Sequence, residues 1–177
     1  AFDYLAHCEK SVALLHGVTS SGKTEVYIKL INEVIKQGHQ VLFLLPEIAL
    51  TAQIINRLRK YFGNKVGIYH SRFSSSQRAE VWNKTKAELP EDRYQILLGA
   101  RSALFLPFQD LKLVIVDEEH DNSYKQYDPS PRYNARDSAI YLAQLWHART
   151  ILGSATPSLE SYANAQSGKY AFAEMKH

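Results

Sequence analysis

Gly17 to Thr24 read GVTSSGKT: a glycine, four intervening residues, then Gly22, Lys23 and Thr24. That spacing suits the holding of a nucleoside triphosphate. Glycines let backbone N–H groups turn toward phosphate oxygens, and a helix opening at Lys23 adds its N-terminal partial positive charge. Lys23 brings a point charge to the phosphates, and the Thr24 hydroxyl is a ligand for Mg²⁺. Gly17, Thr19, Ser20, Ser21, Gly22, Lys23, Thr24 and the adjoining Glu25 are therefore the candidate nucleotide-binding residues, with ATP and Mg²⁺ as expected cofactors. The run before them, VALLH, and the run after them, KTEVYIKL, read as the strand and helix this motif requires.

A second charged stretch, DEEH from Asp117 to His120, follows the apolar LVIV. Asp117 then stands at the carboxyl end of a buried strand, where open α/β sheets bind ligands. It would hold Mg²⁺ together with Thr24, usually through water, while Glu118 polarises the attacking water. Acids at a strand end also occur merely to solvate it, but beside Lys23 the catalytic reading is favoured. Glu119 and His120 carry less by themselves, since a lone histidine is more often structural.

The acids run straight into DNSYKQYDPSPRYNARD. Tyr124, Lys125, Tyr127, Arg132 and Tyr133 offer rings and cations that suit bases and phosphates, and stacking is worth about 1–3 kcal/mol per base. The alternative is that the tyrosines pack on the domain's own helices. Three further segments follow apolar runs: Pro46 to Thr51 (PEIALT), Gly99 to Phe105 (GARSALF) and Gly153 to Thr156 (GSAT). Their small residues and hydroxyls could meet a phosphate backbone, which makes Pro46, Thr51, Arg101 and Ser102 candidates. Taken singly, each is equally a cap or a turn.

These residues need a scaffold that brings strand ends to one edge. SVALLHGV, VLFLLP, KVGIYH, YQILLGA, LKLVIVDEE and RTILGSA are near-continuous apolar runs, as in strands buried on both faces of a parallel sheet. Helical patterns lie between them: KTEVYIKLINEVIKQG, LTAQIINRLRKYFG, the serine-capped SSSQRAEVWNKTKAEL, Ala135 to Leu145 and Pro157 to Ala165. The alternation predicts an α/β fold, a doubly wound, mostly parallel sheet with helices on both faces. The long irregular segment, Asp121 to Tyr133, is of a length usually kept for function.

Length and composition agree. A chain of 177 residues, 45% hydrophobic and 22% charged, has the size and balance of one globular domain. A net charge of +3 permits a nucleic-acid partner without arguing for one. The single cysteine, Cys8, rules out an internal disulfide and fits a reducing cytoplasm. No apolar run approaches the ~20 residues of a membrane helix, so no membrane association is expected, and no signal peptide is seen. Both ends, AFDYLAHCEK and YAFAEMKH, read as cuts through a longer protein.

GVTSSGKTEVY, LLPEIALT, IYHSRF, GARSALFLPF, DEEHDNSYKQ, PRYNARD and ILGSATPSLES together resemble the primosomal protein N′ family, replication-restart DNA helicases of helicase superfamily 2. The likeness covers essentially the whole chain and implies a RecA-like, P-loop ATP-binding lobe of a 3′-to-5′ helicase. By that resemblance Lys23, Asp117, Glu118 and His120 are the catalytic set, and His120 couples the nucleotide site to Ser154 and Thr156 of GSAT. PEIALT and GARSALF would contact the DNA strand, and the segment after His120 resembles an aromatic-rich loop that links single-strand binding to hydrolysis. The resemblance further implies branched or single-stranded DNA, primosome proteins and single-strand-binding proteins as partners. Zinc, the second lobe with its arginine finger, and the N-terminal DNA-binding domain belong to parts of such proteins outside this chain. Ser20 stands where many relatives carry glycine, and Asn134 where many carry histidine. Two other classes stay open: a non-motor DNA-binding ATP switch, and a P-loop phosphotransferase, which would need a lid and an acceptor pocket.

Overall fold

The computed structural model describes residues 1–18 and 21–175; Thr19 and Ser20 of the glycine loop lie outside the described residues. Strands form where the apolar runs predict them: β1 (Val12–His16), β2 (Gln40–Leu44), β3 (Val66–Tyr69), β4 (Ile96–Gly99), β5 (Leu111–Asp117) and β6 (Arg149–Ser154). A further strand, β7 (Ala171–Glu174), pairs with β1 and has no counterpart in the sequence expectation. Strand order is β3-β4-β2-β5-β6-β1-β7, and every pairing is parallel.

Helices cover both faces because side chains alternate along each strand. Leu15, Val41, Phe43, Ile115 and Ile151 meet α1 (Phe2–His7), α2 (Lys23–Lys36) and α3 (Ala52–Phe62). Leu14, Leu42, Val114, Val116 and Leu152 point the other way, toward α4 (Ser75–Thr85), α5 (Ala135–Leu145) and α6 (Leu159–Gln166). The expected doubly wound α/β sheet is what forms. The serines before α4 cap it as expected: Ser74 accepts from the Gln77 N–H while the Gln77 side chain accepts from the Ser74 N–H. None of the helices among the described residues is long and apolar enough to cross a membrane.

Register decides where the chemistry meets. Asp117 pairs with Gly153 across β5 and β6, and His16 pairs with Ser154 across β1 and β6. The glycine loop, DEEH and GSAT therefore leave the sheet side by side. The irregular segment after DEEH is organised rather than free. It holds a short 3₁₀ turn (Asn122–Tyr124) and a bridge between Lys125 and Asn134, with Gln126 N–H donating to the Tyr133 carbonyl at 2.8 Å.

Candidate functional site

α2 begins at Lys23 because Gly22, at φ +88°, takes a left-handed turn that an L side chain rarely adopts. The turn carries Lys23 back under the loop. Lys23 is 7% exposed, and its ammonium donates to the Gly17 carbonyl at 2.6 Å and weakly to the Val18 carbonyl at 3.4 Å. Lys23 makes no ion pair among the described residues. Beside it the Ser21 hydroxyl is buried and has no hydrogen-bond partner among the described residues. A buried cation without an acid and a buried hydroxyl without a partner, among the described residues, are what a site shaped for phosphate oxygens should contain. Gly17 is buried and closes the loop onto β6 through its N–H and the Ser154 carbonyl, 3.1 Å apart.

Gly22, Lys23, Thr24, Asp117 and Glu118 line one cleft of about 340 Å³, together with Val18 and Arg57. Thr24 and Asp117 thus face the same space, which fits a Mg²⁺ ion held by one or two protein oxygens plus phosphate and water. No group of three or more His, Cys, Asp or Glu among the described residues could hold a metal by itself. Arg57, which the sequence reading did not single out, pairs with Glu25 across α2 and α3. Glu25 is thereby engaged with a neighbouring helix; its expected role toward nucleotide gains no support from its position.

Two tyrosine hydroxyls fix Asp117. Tyr27, fully buried one helical turn after Lys23, donates to the Asp117 carboxylate at 2.8 Å, and Tyr124 donates to the Asp117 backbone carbonyl at 2.6 Å. Burial, reinforced by the Asp117 carboxylate, holds both phenols well above their ordinary value, so both remain donors. Burial also raises the Asp117 carboxyl, against the downward pull of the Tyr27 hydrogen bond and the Lys23 charge. Gly153 must be glycine here. A Cβ on it would lie 1.7 Å from the Tyr27 hydroxyl and 2.9 Å from the Asp117 carboxylate.

His120 joins DEEH to GSAT. Its Nδ1 lies 2.7 Å from the Ser154 hydroxyl and its Nε2 3.3 Å from the Thr156 hydroxyl, while the Ser154 hydroxyl also accepts from the Thr156 N–H at 2.9 Å. Glu118 takes a left-handed backbone, φ +49°, and brings its carboxylate to 3.7 Å from His120 Nδ1. Glu119 carries more than its place in the sequence suggests. Its side chain is wholly buried, accepting from the N–H of Ser158 at 2.7 Å, its hydroxyl at 3.0 Å, the Ser161 hydroxyl at 2.8 Å and the Arg136 guanidinium at 3.1 Å.

The expected nucleic-acid residues divide. Tyr127, 66% exposed, and Lys125 and Arg132, also exposed, project from the 125–134 segment. Arg101 lies against them, donating to the Lys125 carbonyl at 2.8 Å, and Ser102 follows it in the same turn. Tyr133 is half-buried with its ring edge-to-face on Phe105, centroids 5.5 Å apart. Tyr124 does not belong with them: at 1% exposure it is a core residue, and no base can reach its ring. Pro46 is likewise buried, and its carbonyl closes a tight turn by accepting from the Ala49 N–H at 2.9 Å. Thr51 is exposed at the N-cap position of α3 without a side-chain capping bond. Asn134, given no role from sequence, caps α5 by accepting from the Arg136 N–H at 3.0 Å.

Residues 3–165 match the DEAD/DEAH box helicase model. The chain is 48% identical to Replication restart protein PriA of Chlamydia pneumoniae over 92% of its length, and 45% identical to that of Bacillus subtilis over 96%. It spans only about a fifth of the length of these curated relatives, 21% and 20%. A DEAD box protein from Methanococcus jannaschii superposes over 99% of this chain and 48% of its own, with a TM-score of 0.68 at 18% identity. The Hef helicase domain of Pyrococcus furiosus does so over 98% and 36%, with 0.63 at 15%. Those two likenesses speak for the fold alone. With the model match covering nearly all of its length, the chain belongs to the DEAD/DEAH box helicase family.

Proposed function

We propose that this chain is the ATP-binding motor lobe of a 3′-to-5′ DNA helicase that restarts stalled replication forks and assembles the primosome. The observation that carries the proposal is the single cleft into which Lys23, Thr24, Asp117 and Glu118 all open. The name shared by the relatives supports the restart role.

ATP with Mg²⁺ would bring the phosphoanhydride to be hydrolysed and a cation to neutralise its charge. Lys23, Ser21 and Gly22 would hold the phosphates, and Thr24 and Asp117 would hold the metal. Glu118 orients the attacking water and takes its proton. His120, bonded to Ser154 and Thr156, relays the state of that site to the GSAT segment. Arg101, Ser102, Lys125, Tyr127, Arg132 and Tyr133 contact a DNA single strand. We place the protein in the cytoplasm, with primosome and single-strand-binding proteins reaching it through the rest of the protein, and zinc held there too. The arginine finger is also expected outside this chain; such residues are typically worth ~10³–10⁵ in rate, so the isolated lobe should hydrolyse ATP feebly.

The test is ATP hydrolysis by the full-length protein, with and without single-stranded DNA, beside a Lys23→Ala variant. DNA should raise the rate of the wild type, and Lys23→Ala should abolish hydrolysis while still binding DNA. Hydrolysis indifferent to DNA, or intact in Lys23→Ala, would overturn the reading.

A further inference from the structure

The segment 125–134 has two feet, and both stand on the DEEH residues. At its start, Tyr124 donates to the Asp117 carbonyl. At its end, Asn134 caps α5, and two residues on Arg136 reaches back to Glu119 at 3.1 Å. That carboxylate is wholly buried and also holds the first turn of α6, through Ser158 and Ser161. Arg136 reinforces the joint by donating to the Ser158 hydroxyl at 2.8 Å. The Glu119 N–H meets the Gly153 carbonyl at 3.0 Å. One ion pair therefore links the end of β5, the start of α6 and the start of α5.

A buried pair is weak evidence of a stabilising role, because apolar residues of similar volume often replace one without loss. What sets this pair apart is position. Glu119 is one peptide bond from Glu118 and one from His120, so a displacement of its carboxylate displaces both. Arg136 is the first charged residue after the segment, on the helix that Asn134 caps.

We propose that Arg136 and Glu119 are positioning residues, a strut through which the 125–134 segment, on taking up single-stranded DNA, sets Glu118 and His120 for hydrolysis. This rests on the motor reading above. Neither residue touches nucleotide or DNA; each acts through its neighbours.

The test uses the full-length protein carrying Arg136→Gln, with Arg136→Lys as a second variant that keeps the buried charge but not the forked contact. Melting temperature, DNA affinity and hydrolysis with and without single-stranded DNA are measured together. The strut predicts DNA affinity and DNA-free hydrolysis close to wild type. It also predicts that the ratio of stimulated to unstimulated rate falls by about tenfold, within the usual range of coupling between linked sites. An unchanged ratio overturns the proposal. So does a parallel fall of both rates with the melting temperature, which marks a mere packing pair. If Arg136→Gln does not fold, the same criteria apply to Arg136→Lys. A wild type that DNA fails to stimulate overturns the motor reading and the strut with it, whereas a stimulated wild type with an unchanged variant ratio removes the strut alone.

Discussion

Tyr124 and Tyr127 lie three residues apart in opposite environments, 1% and 66% exposed. Their chemistry diverges accordingly. The Tyr124 ring belongs to the core cluster that includes Ala135 and Ala139 of α5, and its hydroxyl supplies the donor for the Asp117 carbonyl. Tyr124→Phe keeps the packing and removes that bond, which should destabilise by about 1 kcal/mol, toward 3 if the carbonyl is left buried and unpaired. At roughly 2–4 °C per kcal/mol for a chain of this size, thermal melting resolves it. Tyr127→Ala should leave melting within about 0.5 kcal/mol and weaken single-stranded DNA binding by about 1–3 kcal/mol. Fluorescence anisotropy checks the second effect, and a Tyr127→Ala variant that melts early but binds DNA normally would reverse the two assignments. The sequence could not separate these tyrosines, because ring and hydroxyl are the same in a platform and in a strut. Tyr27 is more legible: four residues after Lys23, it faces the same side of α2.

Elements are where sequence and structure agree best. Strands buried on both faces are written as continuous apolar runs, and α5 falls on Ala135–Leu145 as its periodicity predicts. α1 and β7 escaped because six residues and four residues carry too little pattern to stand out. Strand order and register are invisible in a single sequence, and they decide the site by setting Gly153 opposite Asp117. There the backbone of β6 approaches Tyr27 too closely for any side chain, which gives an element-level test. Gly153→Ala should displace the Tyr27 hydroxyl, break its bond to Asp117 and cost about 1–3 kcal/mol by overpacking. Removing the obstructing hydroxyl in Gly153→Ala/Tyr27→Phe should restore part of that loss. Non-additivity of this sign marks residues in contact. A Gly153→Ala protein as stable as wild type would mean the β6–α2 approach is looser than described.

The whole lobe carries its chemistry at a thermodynamic cost that pH should reveal. Its sheet is buried on both faces, and at the sheet's carboxyl edge the fold keeps Asp117 in surroundings that raise its carboxyl above the ordinary range, burial being the main cause. The sign follows from linkage. A carboxyl raised by folding binds its proton more tightly in the native state, so its contribution is most favourable below the ordinary carboxylate value, about 3.9. That contribution is lost as pH rises through the native value, leaving ionised Asp117 as a penalty at neutral pH. Asp117→Asn keeps an oxygen to accept from Tyr27 and removes the charge. In metal-free protein at neutral pH it should therefore melt higher than wild type, by about 2–4 °C for each kcal/mol relieved. The difference should shrink as the pH falls through the native value and be smallest well below about 3.9, where the wild-type carboxyl is protonated in both states. The same variant should lose ATP hydrolysis, so stability and activity move in opposite directions. A melting temperature that falls at neutral pH would instead show that the Lys23 and Tyr27 interactions outweigh burial, and that Asp117 stabilises the fold it was expected to burden.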